Sequence, residues 1–232
     1  MKEAHRLGRS RRAVIADALR QEILTGVLKP GQAITLNDLS ERFDVSVTPV
    51  REAVLALSDE GLVAMQTRKG IRIAELKVTD IEDVFTVYSS VAGIMAERAA
   101  TRVSQADLDK LHAILQEEAE ETDPDRLEEI NWNFHAILNR RADYILLRSF
   151  ARVLSRSIPK TYFFTIPEWR EVSYGDHKAI LRAVRTGDAS GSRLLAEEHV
   201  RKGGEMLTRY LSRMGYWHLS DSLVAAAARK AG

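Results

Sequence analysis

The sequence predicts a mainly α protein: an N-terminal winged helix-turn-helix, three helices plus a β-hairpin, followed by an all-α bundle of six or seven helices. Two observations predict it. Three apolar stripes at helical spacing run through residues 13–60, with two short β-prone runs directly behind them. From residue 79 onward the apolar residues recur only at helical spacing, and no alternating strand pattern interrupts them.

The first helix follows from Ile15, Leu19 and Ile23, and Gly26 ends it. The Pro-Gly pair in "LKPGQ" turns the chain. Leu36, Leu39 and Phe43 share one face of a second helix, and Val45 points inward from the tight turn "DVS". A third helix is expected to open at Thr48-Pro49, with a hydroxyl cap and proline at its first position. Val50, Val54 and Leu57 form its apolar face and Gly61 stops it. The strands "LVAM" and "IRIA" then flank "QTRKG", where Gly70 supplies a positive φ.

One shared core for these elements leaves the polar side of the third helix free. Ser46, Thr48 and Arg51 lie at its start, where a recognition helix meets base edges and phosphates. Gln66, Arg68 and Lys69 surround the wing, a position suited to groove or backbone contact. Winged helices also dock proteins, so the fold alone does not choose between the two.

Composition narrows the field. The chain has 232 residues, 45% hydrophobic and 29% charged, as an ordinary globular protein has. It contains no cysteine, which excludes disulfides, thiolate metal sites and cysteine nucleophiles and suits a reducing cytoplasm. The longest apolar run, "LVAAAA", is far below a membrane span, and no apolar segment follows the basic start "MKEAHRLGRSRR" as a signal peptide requires. Net charge is +1, but Lys2, Arg6, Arg9, Arg11 and Arg12 face only Glu3 in the first 12 residues. That basic arm suits phosphates or is a solvated tail.

The segment "GVLKPGQAITLNDLSERFDVSVTPVREAVLALSDEGLV" resembles the DNA-binding domain of the GntR family of bacterial transcription regulators. The resemblance rests on "G-x-L-x-P-G", "L-S-E-R-F-D-V-S", "T-P-V-R-E-A" and "E-G-L-V", in the family's order and spacing, over about residues 11–75. It implies that residues 1–75 bind double-stranded DNA. Two positions depart from the family's usual arginines: Val47 in the recognition motif and Asn37 at the start of the second helix. Arg51 is then the principal charged contact of the recognition helix, and Val47 offers apolar contact to a thymine methyl. Losing a bidentate arginine removes about 1–3 kcal/mol of base discrimination. The operator should therefore differ from that of common relatives.

Residues 76–78 are a short linker, and 79–232 read as an effector-binding and dimerisation domain. Its helices are expected near 79–102, 104–121, 125–141, 143–157, 167–186 and 188–213, with starts at Thr79, Ser104, Asp123-Pro124 and Pro167 and a stop at Gly187. Three of the chain's six histidines fall on inward stripes. His135 shares a helix face with Asn131, four residues earlier. His177 stands ten residues before Gly187 and His199 eleven after Asp188. In a helical hairpin both lie about 15 Å from the turn, at one height. Three imidazoles suit Zn²⁺, Ni²⁺ or Mn²⁺, although each histidine is equally readable as a core residue.

The pieces "N-W-N-F-H-A-I-L", "D-H-K-A-I-L-R-A-V-R-T-G-D-A" and "E-E-H-V" resemble the FCD ligand-binding domain of the FadR-like branch of the GntR family. Many members bind a divalent metal there through an aspartate and three histidines, and the metal helps hold a small carboxylate effector. Carried over, the histidines are His135, His177 and His199, and the aspartate falls on Asn131, a weaker neutral ligand. Relatives often carry an arginine where Tyr88 stands; Tyr88 offers a hydroxyl to an effector, or packs in the core. The resemblance implies a cytoplasmic homodimeric regulator, a repressor, that reads a pseudo-palindromic operator and responds to a small carboxylate-bearing metabolite.

Two alternatives remain at this stage: the same regulator with a metal-free pocket, and a helical metal-dependent hydrolase. Against the second, the chain has no H-E-x-x-H, no G-x-S-x-G and no Gly-rich phosphate loop. The tail "GYWHLSDSLVAAAARKAG" stays open between a cap, an interface and disorder.

Overall fold

The structure, a computed structural model, describes residues 10–66, 70–156, 166 and 168–216. The N-terminal arm before Ser10, Arg68 and Lys69 at the wing tip, Pro167, and the tail beyond Tyr216 lie outside the described residues. Two compact units form. One holds the described residues up to Lys77 together with those from Ser212, and the other is Val78–Leu211.

In the first unit, α1 (Arg11–Leu24) starts where the Ser10 hydroxyl accepts a hydrogen bond from the Ala13 N–H. After the turn at Gly31, β1 (Ala33–Ile34) leads into α2 (Leu36–Phe43). Thr35 and Asp38 close a capping box at the start of α2, satisfying two otherwise orphan N–H groups. Then come α3 (Val47–Asp59), β2 (Val63–Gln66) and β3 (Gly70–Ile73). Ile15, Leu19, Ile23, Leu39, Val50, Val54, Leu57, Ile71 and Ile73 form one core, with Leu36, Phe43 and Val45 packed against it. The three helical stripes read from the sequence are therefore the buried faces.

Two local expectations need correction. Helix α3 begins at Val47, one residue before Thr48, and its cap is Ser46, whose side chain makes no capping hydrogen bond. Pro49 is consequently the third helical residue, still within the first turn where its missing N–H costs nothing. The wing is also larger than a hairpin. The sheet has three antiparallel strands in the order β1-β3-β2, with Ile34 opposite Ile71 and Gln66 opposite Gly70. Two residues are too few to show alternation, so β1 owes its existence to pairing with β3. Gly70 is required twice over: its φ is +86°, and a Cβ there would stand 2.8 Å from the Ile34 carbonyl oxygen.

A buried cation ties α1 to the end of α3. Arg20, 3% exposed, donates to both oxygens of Glu60 at 2.7 Å and to Asp17 at 2.5 Å. Its desolvation is offset by paired carboxylates in fork geometry.

The second unit contains α4 (Val78–Ala100), α5 (Gln105–Glu120), α6 (Pro124–Arg141), α7 (Ile145–Arg156), α8 (Trp169–Arg185) and most of α9 (Ala189–Arg213). Six helices match the lower predicted number among the described residues. Ser104 caps α5 in a box with Asp107, Asp123 caps α6 with Pro124 at its first position, and Gly187 ends α8 at φ +70°. Helix α6 packs against α4 and α5, and α8 packs against α4 and α5 as well. Ala96, Leu111, Phe134, Leu138, Ile180 and Val184 lie in the core between them. Polar groups inside such a bundle have to be satisfied by one another, which is where the histidines come in.

Candidate functional site

Each histidine of interest turns toward the bundle interior: His177 on α8 and His199 on α9 are buried, and His135 on α6 is half-buried. The hydrophobic neighbours Phe134, Ile180, Leu181, Val184 and Ala196 drive these helix faces inward, and the imidazoles go with them. The three rings meet with centroids 4.9–5.2 Å apart. One ligand nitrogen from each lies within 4.8 Å of the other two. The matched heights of His177 and His199 on either side of Gly187 are thus realised.

Two carboxylates orient this triad. His177 Nδ1 lies 3.0 Å from Glu118 Oε2, and His199 Nδ1 lies 3.3 Å from Asp176 Oδ2. Lys202 Nζ donates to the other Asp176 oxygen at 2.9 Å. A carboxylate accepting from Nδ1–H assigns the tautomer and leaves the Nε2 lone pair free to ligate. His177 Nε2 stands 3.3 Å from His135 Nε2. Two nitrogens bonded at 2.0–2.1 Å to a tetrahedral ion stand about 3.3 Å apart as well.

Electrostatics favour the neutral, ligating form of two of the imidazoles, His135 and His199. Burial first, and then the neighbouring rings of His177 and His199, hold the His135 pKa well below the ordinary histidine value. Burial also lowers that of His199, against the opposing hydrogen bond to Asp176. For Asp176 burial alone would raise the carboxyl, but the hydrogen bonds from His199 and Lys202 outweigh it and the pKa falls.

A cavity of about 70 Å³ opens beside the triad, lined by Tyr88, Glu128, Asn131, Trp132, His135 and His199 among others. The Asn131 side-chain oxygen is buried without a hydrogen-bond partner. An orphaned buried acceptor costs about 1–3 kcal/mol unless something else satisfies it. The three imidazoles suit a divalent ion, and the Asn131 oxygen lines the cavity beside them. Tyr88 is half-buried on α4, and burial pushes its phenol up to about 12, so it is a neutral hydroxyl.

Sequence reading missed Glu118 and, as a partner of His199, Asp176. Glu118 had a signal: it follows Leu111 and Leu115 on the inward stripe of α5, where an acid is out of place. Asp176 had none, because it reaches across from α8 to α9.

At the other candidate surface, Asn37, Ser46, Thr48 and Arg51 are exposed at the starts of α2 and α3, and Val47, Gln66 and Gly70 are half-buried. Among the described residues the Arg51 guanidinium forms no ion pair, unlike Arg42, which pairs with Glu22.

The FCD domain family matches residues 83–202, and the family "Bacterial regulatory proteins, gntR family" matches residues 11–73. The chain belongs to the GntR family. This regulator is 22% identical over 204 residues to the HTH-type transcriptional repressor RspR of Escherichia coli, covering 86% of this chain and 90% of the relative. It is 26% identical over 212 residues to the HTH-type transcriptional regulator LutR of Bacillus subtilis, covering 81% and 97%. Its fold is like that of E. coli McbR/YncC, with a TM-score of 0.68 at 20% identity, covering 87% of this chain and 99% of that one. The family and the relatives RspR and LutR are transcription regulators, so the hydrolase alternative is set aside.

Proposed function

We propose that this GntR-family regulator is a repressor that binds a pseudo-palindromic operator as a homodimer in the cytoplasm and responds to a small carboxylate-bearing effector. Asn37, Ser46, Val47, Thr48 and Arg51 would read the major groove, with Gln66, Arg68, Lys69 and Gly70 at the wing against the backbone. The repressor reading draws on the printed name of RspR.

The observation that carries the effector reading is the triad itself. Three imidazoles converge beside a cavity, two of them oriented by carboxylates, with the orphaned Asn131 oxygen lining the same space. His135, His177 and His199, with Asn131, would hold Zn²⁺, Ni²⁺ or Mn²⁺, which when bound supplies a positive centre for a carboxylate. Tyr88 would donate its hydroxyl to the effector. A metal-free pocket is the second reading. It is favoured by the neutral Asn131 and by the 3.3 Å separation of the two Nε2 atoms, which one N–H can also bridge.

Plasma mass spectrometry on untagged, chelator-free protein tests the choice, beside the His177→Ala/His199→Ala double variant. Near-stoichiometric metal lost in the variant supports the metal centre. No uptake from Zn²⁺, Ni²⁺ or Mn²⁺ by the wild type leaves the metal-free pocket. Operator binding by the same two proteins, with and without metal, reads the link to DNA.

A further inference from the structure

A second cavity, of about 260 Å³, adjoins the histidine cavity. The two share Tyr88, Trp132 and Ser155 in their walls. The outer one is lined by Arg140 at the end of α6 and by Arg148 and Arg152 on α7. None of these guanidinium groups forms an ion pair among the described residues. Some other arginines on this unit are matched: Arg126 pairs with Glu117 and Glu129, Arg193 with Glu97 and Glu197, and Arg201 with Glu198 and Glu205.

Arg148 and Arg152 are four residues apart on one helix face, an arrangement that repels and weakens the helix. Helix α7 carries no acid to relieve it. All three side chains are exposed, and their clustering on one cavity wall is a charge arrangement that an anionic ligand would bridge. The guanidinium fork stays charged at any physiological pH and matches carboxylate and phosphate oxygens in pairs.

Because the two cavities share Tyr88, Trp132 and Ser155, a ligand with one acid group in the histidine cavity can extend toward the arginines.

We propose that the effector is a small molecule with two acid groups: one enters the histidine cavity, and a second, carboxylate or phosphate, is held by Arg140, Arg148 and Arg152. This rests on the reading of the histidine cavity as the effector pocket. The arginines so placed do for this chain what the arginine absent at Tyr88 cannot.

Calorimetry on the full-length, Zn²⁺-incubated protein tests it with two matched pairs, lactate against malate and glycerate against 3-phosphoglycerate. At least one two-acid compound should bind tenfold or more tighter than its one-acid partner. The first pair reports a carboxylate in the outer cavity, the second a phosphate. In Arg148→Gln/Arg152→Gln, with folding checked by circular dichroism, that preference should collapse while Zn²⁺ uptake is unchanged. Equal affinities within both pairs, no binding by any probe, or a preference that survives the double variant would overturn the proposal. In His177→Ala/His199→Ala all acid binding should vanish. A two-acid compound that still binds there would keep the arginine site and sink the histidine-pocket reading instead.

Discussion

The His177 imidazole and the Glu118 carboxylate meet at 3.0 Å with no exposed surface on either side chain. The second Glu118 oxygen has no hydrogen-bond partner. A buried carboxylate is costly to keep unless it is paired, so its service to His177 is the reason for its position. Glu118→Gln retains shape but no longer accepts as a charged group. Zn²⁺ affinity by calorimetry should fall about 10–100-fold. An unchanged affinity would mean that Glu118 does not orient the ligand.

Tyr216 closes the first unit at its far end. Its side chain is 5% exposed, its hydroxyl donates to the Ile23 carbonyl at 3.0 Å, and its ring covers Gly26. Gly26 has φ +70°, and a Cβ there would lie 2.8 Å from Tyr216 Cδ2. Gly26→Ala therefore meets both the left-handed backbone penalty, about 1–2 kcal/mol, and a ring it has to displace. Tyr216→Phe should cost about 1 kcal/mol, the net worth of one hydrogen bond. Urea unfolding followed by circular dichroism would measure both, with Gly26→Ala the larger.

Acid should loosen the second unit through Asp107. The hydrogen bond from Arg141, and then those within the Ser104 cap, hold its carboxyl well below the ordinary aspartate value of 3.8 despite opposing burial. The folded state therefore binds fewer protons than the unfolded one below that pH. The contribution is complete above pH 3.8 and is lost as pH falls toward the lowered folded value. Asp107→Asn should flatten the decline of melting temperature on the acid side of pH 4 relative to wild type. Parallel melting curves for the two proteins would contradict the assignment.

Arg51 bears on the DNA reading. It is exposed at the start of α3 and free of any ion pair among the described residues. Arg51→Ala should weaken operator binding by about 1–3 kcal/mol if it contacts a base edge. Fluorescence anisotropy against operator and scrambled DNA separates the cases. Equal losses on both would make Arg51 a phosphate contact instead.

Where the sequence was legible, a repeated pattern carried the information. Ile15, Leu19 and Ile23, or Val50, Val54 and Leu57, announce a buried face because several residues at one spacing agree. The inward histidines inherited that clarity from Ile180, Leu181, Val184 and Ala196 around them. Strand β1 and the true cap of α3 were illegible for the opposite reason. Each depends on one or two residues whose conformation is chosen by a partner distant in sequence, β3 in the first case.

By itself the sequence determined the family resemblance and the three helices that bring His135, His177 and His199 inward. Helical period is a local property, and so it is written locally. Only the tertiary structure decided which acids face those histidines. Glu118 is 59 residues from His177 and Asp176 is 23 from His199, distances along the chain that no periodic pattern spans. It alone also placed Arg140, Arg148 and Arg152 beside the pocket. Packing of one helix on another creates that adjacency, and hydrogen bonds and charge then act on it.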